Sequence, residues 1–101
     1  MPVTIDVEEL MVIAHIQGEI DHHNVSEMRR EIDLAAERYR PEKLVLDFGE
    51  VTFMDSSGIG LVMGRYKTIK GYGGKISIAN TSSQIKKVMK LAGLDHLADI
   101  E

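Results

Sequence analysis

The chain has no cysteine, no tryptophan, only two prolines, and just 5% aromatic residues. Without cysteine there can be no disulfide and no thiolate-ligated metal, which fits a reducing compartment. With so few aromatics, the core has to be built from Ile, Val, Leu and Met. Long apolar runs are missing too: none approaches the roughly 20 residues that a membrane helix needs. The opening Met1-Pro2-Val3-Thr4-Ile5-Asp6-Val7-Glu8-Glu9 lacks both the basic and the long apolar region of a secretory signal. The expected placement is cytoplasmic, with no membrane contact. Positive charge is in deficit: 12 Lys and Arg against 16 Asp and Glu leave a formal net charge of −4. That balance argues against nucleic acid as a direct partner, since phosphates call for a basic surface. Lys86, Lys87 and Lys90 are the local exception.

What is present is ordinary for a globular protein. The 101 residues, 44% apolar and 28% charged, suffice for one domain spanning 1–101 and not for two. Val3, Ile5 and Val7 alternate with polar neighbours and predict a half-buried strand, and Leu10 to Ile16 predicts a second, near enough to form a hairpin. His15 lies inside that run and reads as a surface or satisfied residue. Gly18 to Asn24 is expected to be a polar connector, with Asn24 and Glu27 at capping-box spacing. Val25, Met28, Ile32, Ala35 or Ala36, and Tyr39 then mark one buried face of a helix that Pro41 ends.

Lys43 to Phe48 predicts a central strand, and Gly49-Glu50 a turn into a short extended stretch, Val51 to Met54. Ile59, Val62, Met63, Tyr66 and Ile69 predict the buried stripe of a second helix. Gly60 and Gly64 stand four apart on another face, beside Ser57 and Leu61. Glycine weakens a helix interior by about 0.8–1 kcal/mol relative to alanine, so two in succession imply a close approach, either by the domain's own packing or by a partner. Lys75 to Ala79 predicts a third main strand. Thr81 and Gln84 have capping-box spacing ahead of a helix marked by Ile85, Val88, Met89 and Ala92, with Gly93 as its C-terminal cap. Leu94 to Ile100 is left to add an edge contact. The expectation is an α/β domain whose small mixed, mostly parallel sheet opens on a β-hairpin and carries flanking helices.

The chain's chemistry concentrates in Asp55-Ser56-Ser57-Gly58, where a strand gives way to a helix. A helix N-terminus has unpaired N–H groups and a positive dipole end, so a hydroxyl placed there can cap, act as a nucleophile or accept a phosphoryl group. A nucleophile elbow needs Gly-x-Ser-x-Gly, but Met54 and Asp55 stand where the first glycine should be. A dinucleotide fingerprint built on Gly58-Ile59-Gly60 would need its third glycine at Met63, and Gly64 comes one residue late. Asp21-His22-His23 is the only cluster of metal-ligand types, and adjacent residues seldom converge on one ion. Position alone favours Ser56 as a cap with Ser57 as its first-turn neighbour. A phosphate on Ser57 would add about −1.5 to −2 charges near Asp55 and change which surfaces can dock.

Taken together, Gly18-Glu19-Ile20-Asp21-His22-His23, Phe53-Met54-Asp55-Ser56-Ser57-Gly58-Ile59-Gly60 and Gly64-Arg65-Tyr66-Lys67 resemble the anti-sigma factor antagonists of the STAS domain family. The likeness runs from about Val3 to Leu94 and is nearest to the sporulation antagonists of anti-sigma-F factors. It implies a small sheet flanked by helices and a protein that is a ligand and substrate rather than an enzyme, with no metal or cofactor of its own. The implied partner is an anti-sigma factor that is also a serine kinase and holds the ATP. The unphosphorylated antagonist binds it and frees the sigma factor, phosphorylation of the second serine, here Ser57, ends the binding, and a serine phosphatase restores it. The implied partner-binding residues are Asp21, Asp55, Ser56, Ser57, Gly58, Ile59, Gly60, Leu61 and Gly64. The same module in another circuit, such as general stress control, is the nearest alternative, and a small nucleotide-binding module using Gly58 to Gly64 is the more distant one.

Overall fold

Alternation along the first strands decides which side of the sheet the helices cover. The structure, a computed structural model, describes residues 2–101. β1 (Val3–Glu8) and β2 (Met11–Ile20) form an antiparallel hairpin, followed by α1 (Val25–Tyr39), β3 (Lys43–Met54), α2 (Ser56–Gly71), β4 (Lys75–Ala79), α3 (Ser83–Leu91), a single 3-10 turn (Leu94–His96) and β5 (Asp99–Ile100). The five strands lie in chain order, β2 to β5 all parallel, so each helix bridges two adjacent parallel strands. Val12, Ala14 and Ile16 of β2 line up with Leu44 and Leu46 of β3 and Ile76 and Ile78 of β4 on the sealed face. Met28, Ile32, Ala35 and Ala36 of α1 and Leu61, Val62 and Ile69 of α2 complete the same core. Burying each large aliphatic side chain here contributes about 1.5–3 kcal/mol. The mixed sheet with its opening hairpin is the architecture that the sequence pattern predicts.

The local differences have identifiable causes. β2 does not end at Ile16 but runs to Ile20, so Gly18 to Ile20 are strand rather than connector; Gly18 takes a left-handed φ of 89° beside a register shift. Gly49-Glu50 is not a turn. β3 continues through it, with a shift in its pairing to β2, because the Gly49 N–H turns aside to Asp47 Oδ1 at 2.9 Å. Asn24 does not cap α1 with its side chain, which donates instead to the Glu19 carbonyl at 3.2 Å. Asp21 Oδ1 accepts the N–H groups of His23 and Asn24 at 2.9 and 3.0 Å and holds the loop in place.

Tyr39 lies outside the buried stripe of α1, exposed with the Arg38 guanidinium 5.5 Å from its ring centre. The helix closes on Arg40 at φ 41°, immediately before Pro41. α3 is capped by Ser82, whose Oγ accepts the Ile85 N–H at 3.1 Å, while Thr81 Oγ1 donates to the Glu101 carbonyl at 2.8 Å. Ile85 and Met89 of α3 are buried and Val88 is exposed, and Gly93 follows with a left-handed φ of 82°. The tail does add an edge, as β5 against β4.

The stripe that α2 buries is rotated from the one expected: Gly58, Leu61, Val62, Arg65 and Ile69 point inward, Ile59 and Tyr66 are half-buried, and Met63 is exposed. Arg65 can occupy the inner face because its Nε lies 2.7 Å from Asp33 Oδ1 of α1. The approach falls off the N–H axis, so the contact is charge pairing rather than a well-formed hydrogen bond, and Nη1 finds no partner among the described residues. Burial draws the guanidinium pKa down from its ordinary value, against the pull of Asp33.

On the opposite sheet face, His15 is clamped between two carboxylates: Nδ1 lies 2.6 Å from Asp47 Oδ2 and Nε2 lies 2.8 Å from Asp6 Oδ2. With an acceptor at each nitrogen, both must carry protons, so the geometry selects the imidazolium. The bond to Asp47, then that to Asp6, raises the His15 pKa above its ordinary value. Burial pushes the Asp47 carboxyl up, but donation from Asn80, Gly49 and His15 outweighs it and leaves the group below its ordinary value. A histidine raised in the folded state stabilises fully below its unfolded pKa, near 6.5, and the contribution fades as pH rises through the higher folded value. Thermal melts from about pH 6 to 9 should therefore show wild-type stability declining with pH relative to His15→Gln. Parallel pH profiles for the two proteins would refute the clamp.

Candidate functional site

The site forms where β2 and β3 end side by side. Ile20 pairs with Met54, and the next backbone bond, Asp55 N–H to the Ile20 carbonyl at 3.0 Å, ties the two following loops together. One loop is Asp21 to Asn24, the other the single residue Asp55 before α2. Asp55, with an extended backbone, is the N-cap of α2: its Oδ1 accepts the Ser57 N–H at 2.8 Å. Capping therefore falls to Asp55 and not to Ser56, which is exposed at the first helical position. Ser57 follows, half-buried. The bond from the Ser57 N–H leads the causes that hold the Asp55 carboxyl below its ordinary pKa; burial opposes it, and the Ser57 hydroxyl and His22 assist.

His22 reaches across from the first loop, with Nδ1 3.9 Å from Asp55 Oδ2 and its ring centre 4.0 Å from that of His23. Asp21, expected at the site, lies in this same loop, but its carboxylate is turned to the N–H groups of His23 and Asn24. Its part is to shape the loop that carries His22.

The expected partner-binding residues divide into two groups. Gly58 and Leu61 are buried. A Cβ on Gly58 would overlap the Met54 side chain and touch Ile20 Cγ2 at 3.5 Å, so this glycine lets α2 sit down on the strand ends. It is not free to cradle a phosphate in the manner of a dinucleotide fingerprint. Leu61 anchors the helix from below and offers no surface. Ser56 and Gly60 are exposed, and Ser57, Ile59 and Gly64 are half-buried. A Cβ at Gly60 or Gly64 would meet nothing within 4 Å. Close packing inside the domain is therefore not what these two glycines serve. With Ser56, Met63 and Lys67 they follow one another at helical spacing along the outer side of α2.

Phe53, half exposed at the end of β3, opens the motif as a surface aromatic. Its signal was the adjacent Met54: only one of two neighbouring strand residues can face inward, and Met54 does. Among the described residues no cluster of His, Cys, Asp and Glu is arranged to hold a metal ion. The larger described surface depressions are lined by other residues than Asp55, Ser56 and Ser57.

The cap assignment can be measured directly. Asp55→Ala removes the acceptor for the Ser57 N–H and should lower the melting temperature by about 5 °C. Ser56→Ala should leave it unchanged, and a loss of similar size at Ser56 would return the cap to the serine.

Residues 2–101 match the family model of the STAS domain. An anti-sigma F factor antagonist of Paenibacillus polymyxa is 34% identical over 84 residues, covering 83% of this chain and 72% of the relative. An anti-sigma-B factor antagonist of Bacillus subtilis is 29% identical over 102 residues, covering 99% of this chain and 92% of the relative. Among solved structures, the Bacillus cell fate determinant SpoIIAA in its phosphorylated form superposes with a TM-score of 0.76 at 30% identity, over 98% of this chain and 90% of that one. The mixed sheet with its opening hairpin and flanking helices is thus a known architecture, and the chain belongs to the STAS domain family.

Proposed function

We propose that this protein is an anti-sigma factor antagonist whose docking is gated by phosphorylation of Ser57. Unphosphorylated, it binds an anti-sigma factor that is also a serine kinase, and the sigma factor is released. The kinase, which holds the ATP, transfers the γ-phosphoryl group to Ser57 Oγ as the hydroxyl proton leaves and ADP departs. The phosphorylated protein then lets go, and a serine phosphatase hydrolyses the ester. The chain itself acts as substrate and ligand, in the cytoplasm. The relatives' roles as antagonists support this reading. No helix among the described residues is long and apolar enough to cross a membrane.

The observation that carries the proposal is the division of labour at the start of α2. Because Asp55 caps the helix, neither serine is needed as its N-cap. The outer side of the same helix is bare at Gly60 and Gly64, so a partner's backbone can approach closely. A phosphoryl group at Ser57 places about two negative charges next to the Asp55 carboxylate, at the entrance to that bare face. Repulsion of an acidic partner surface and loss of close approach both follow without refolding.

Phosphopeptide mapping after incubation with a sporulation-type anti-sigma kinase and ATP tests the reading. Phosphate is expected on Ser57 and absent in Ser57→Ala, which should still bind, while Ser57→Asp should bind about tenfold more weakly, a difference of about 1.4 kcal/mol. Phosphate on Ser56 alone would move the site, and none at all would sink the switch. The anti-sigma-B antagonist's likeness along nearly the whole chain favours a stress-response kinase as the second partner to try.

The docking face has its own test. Gly60→Ala and Gly64→Ala should each stabilise the fold by about 0.8–1 kcal/mol, whereas Gly60→Leu should weaken kinase binding without lowering the melting temperature. Unchanged affinity for Gly60→Leu would remove α2 from the interface.

A further inference from the structure

Any phosphoryl group on Ser57 would enter a place already occupied by a carboxylate. Asp55 stands two residues away and has claimed the Ser57 N–H with its Oδ1. The backbone donor nearest the new charge is therefore already committed, and the dipole of α2 is left to act on two anions at once. The segments forming the site, Glu19 to Met28 and Gly49 to Gly64, contain no lysine or arginine. Their only side chains able to become cations are His22 and His23. Of these, His22 is the one whose ring nitrogen faces the cap, 3.9 Å from Asp55 Oδ2. Its side chain is 74% exposed and free to swing.

We propose that His22 is the counter-cation of phosphorylated Ser57, turning from Asp55 to the phosphoryl oxygens as an imidazolium. The inference rests on the reading of Ser57 as the phosphorylated residue and adds the group that receives the charge. The groups facing His22 are Asp55 from the head of α2, the His23 ring tilted against it and Asp21 in its own loop. Asp21 directs its carboxylate to the His23 and Asn24 N–H groups. A second anion beside Asp55 favours the protonated ring, so phosphorylation and proton uptake at His22 are coupled. A protonated ring offsets one of the negative charges that phosphorylation adds to this pole.

The test needs no kinase. Phosphoserine is installed at position 57 during synthesis of the full chain, and the imidazole resonances of His22 and His23 are followed by NMR against pH in the phosphorylated and unmodified proteins. The His22 midpoint is expected to rise by about one pH unit on phosphorylation, with a smaller rise for His23. The phosphorus resonance should titrate at higher pH in His22→Asn than in the chain with His22. An equal His22 midpoint in the two proteins overturns the proposal, as does a larger rise at His23 than at His22. Failure of every kinase to modify Ser57 would instead defeat the functional reading and leave these titrations standing.

Discussion

The carboxylate of Asp55 is the joint on which the carboxyl end of the sheet depends. Its backbone N–H completes the junction of β2 with β3, its side chain opens α2, and its free oxygen faces the loop that precedes α1. A single residue thus sets where two helices begin relative to one another. Such economy is possible because a parallel pair delivers both chain ends to the same edge, so the loops leaving β2 and β3 emerge as neighbours. An antiparallel pair would have sent them to opposite ends.

The inner side of α2 seats that joint on the core. Gly58 lets the helix settle on Met54 and Ile20, and Leu61 and Val62 continue the contact into the core. Farther along, the buried Arg65 meets Asp33 of α1, whose side chain stays partly exposed. Buried ion pairs seldom add much net stability, since desolvation offsets their attraction. What this pair does add is register between the two helices: a charge that is costly to leave alone accepts one partner position and no other. The inner side of α2 is thereby specified in detail, while the outer side is left plain.

Much of this was legible in the residues. Alternation in Val3 to Val7 and the apolar run Leu44 to Leu46 located strands because sheet burial has a period of two. Met28, Ile32 and Ala36 located α1 because helix burial has a period near four. Legibility failed where a side chain, rather than a pattern, made the decision. Two candidate caps, Ser56 and Thr81, lost to Asp55 and Ser82, each one residue away, and Asn24 stands at the N-cap of α1 without a side-chain bond to the helix. Spacing rules cannot rank neighbouring acceptors whose reach depends on backbone angles. The stripe on α2 was misplaced for another reason: apolar residues occur all round that helix, and an arginine took an inner position through a partner 32 residues earlier in the chain. At the site, Ser57, Asp55 and Gly60 were identified from their motif. The proximity of His22 to Asp55 required the parallel pairing that brings residues 22 and 55 together.

Two glycines on the outer side of a helix also affect how the molecule breathes. Each withholds about 0.8–1 kcal/mol of helix propensity relative to alanine, and a Cβ at either position would meet no neighbour within 4 Å. The second and third turns of α2 are thus held by their inner residues alone, on a segment whose first turn depends on one carboxylate. Amide protons there are expected to exchange through openings smaller than global unfolding, ahead of those in the central strands. The helix whose outer side is left plain is, by the same construction, expected to loosen ahead of the central strands.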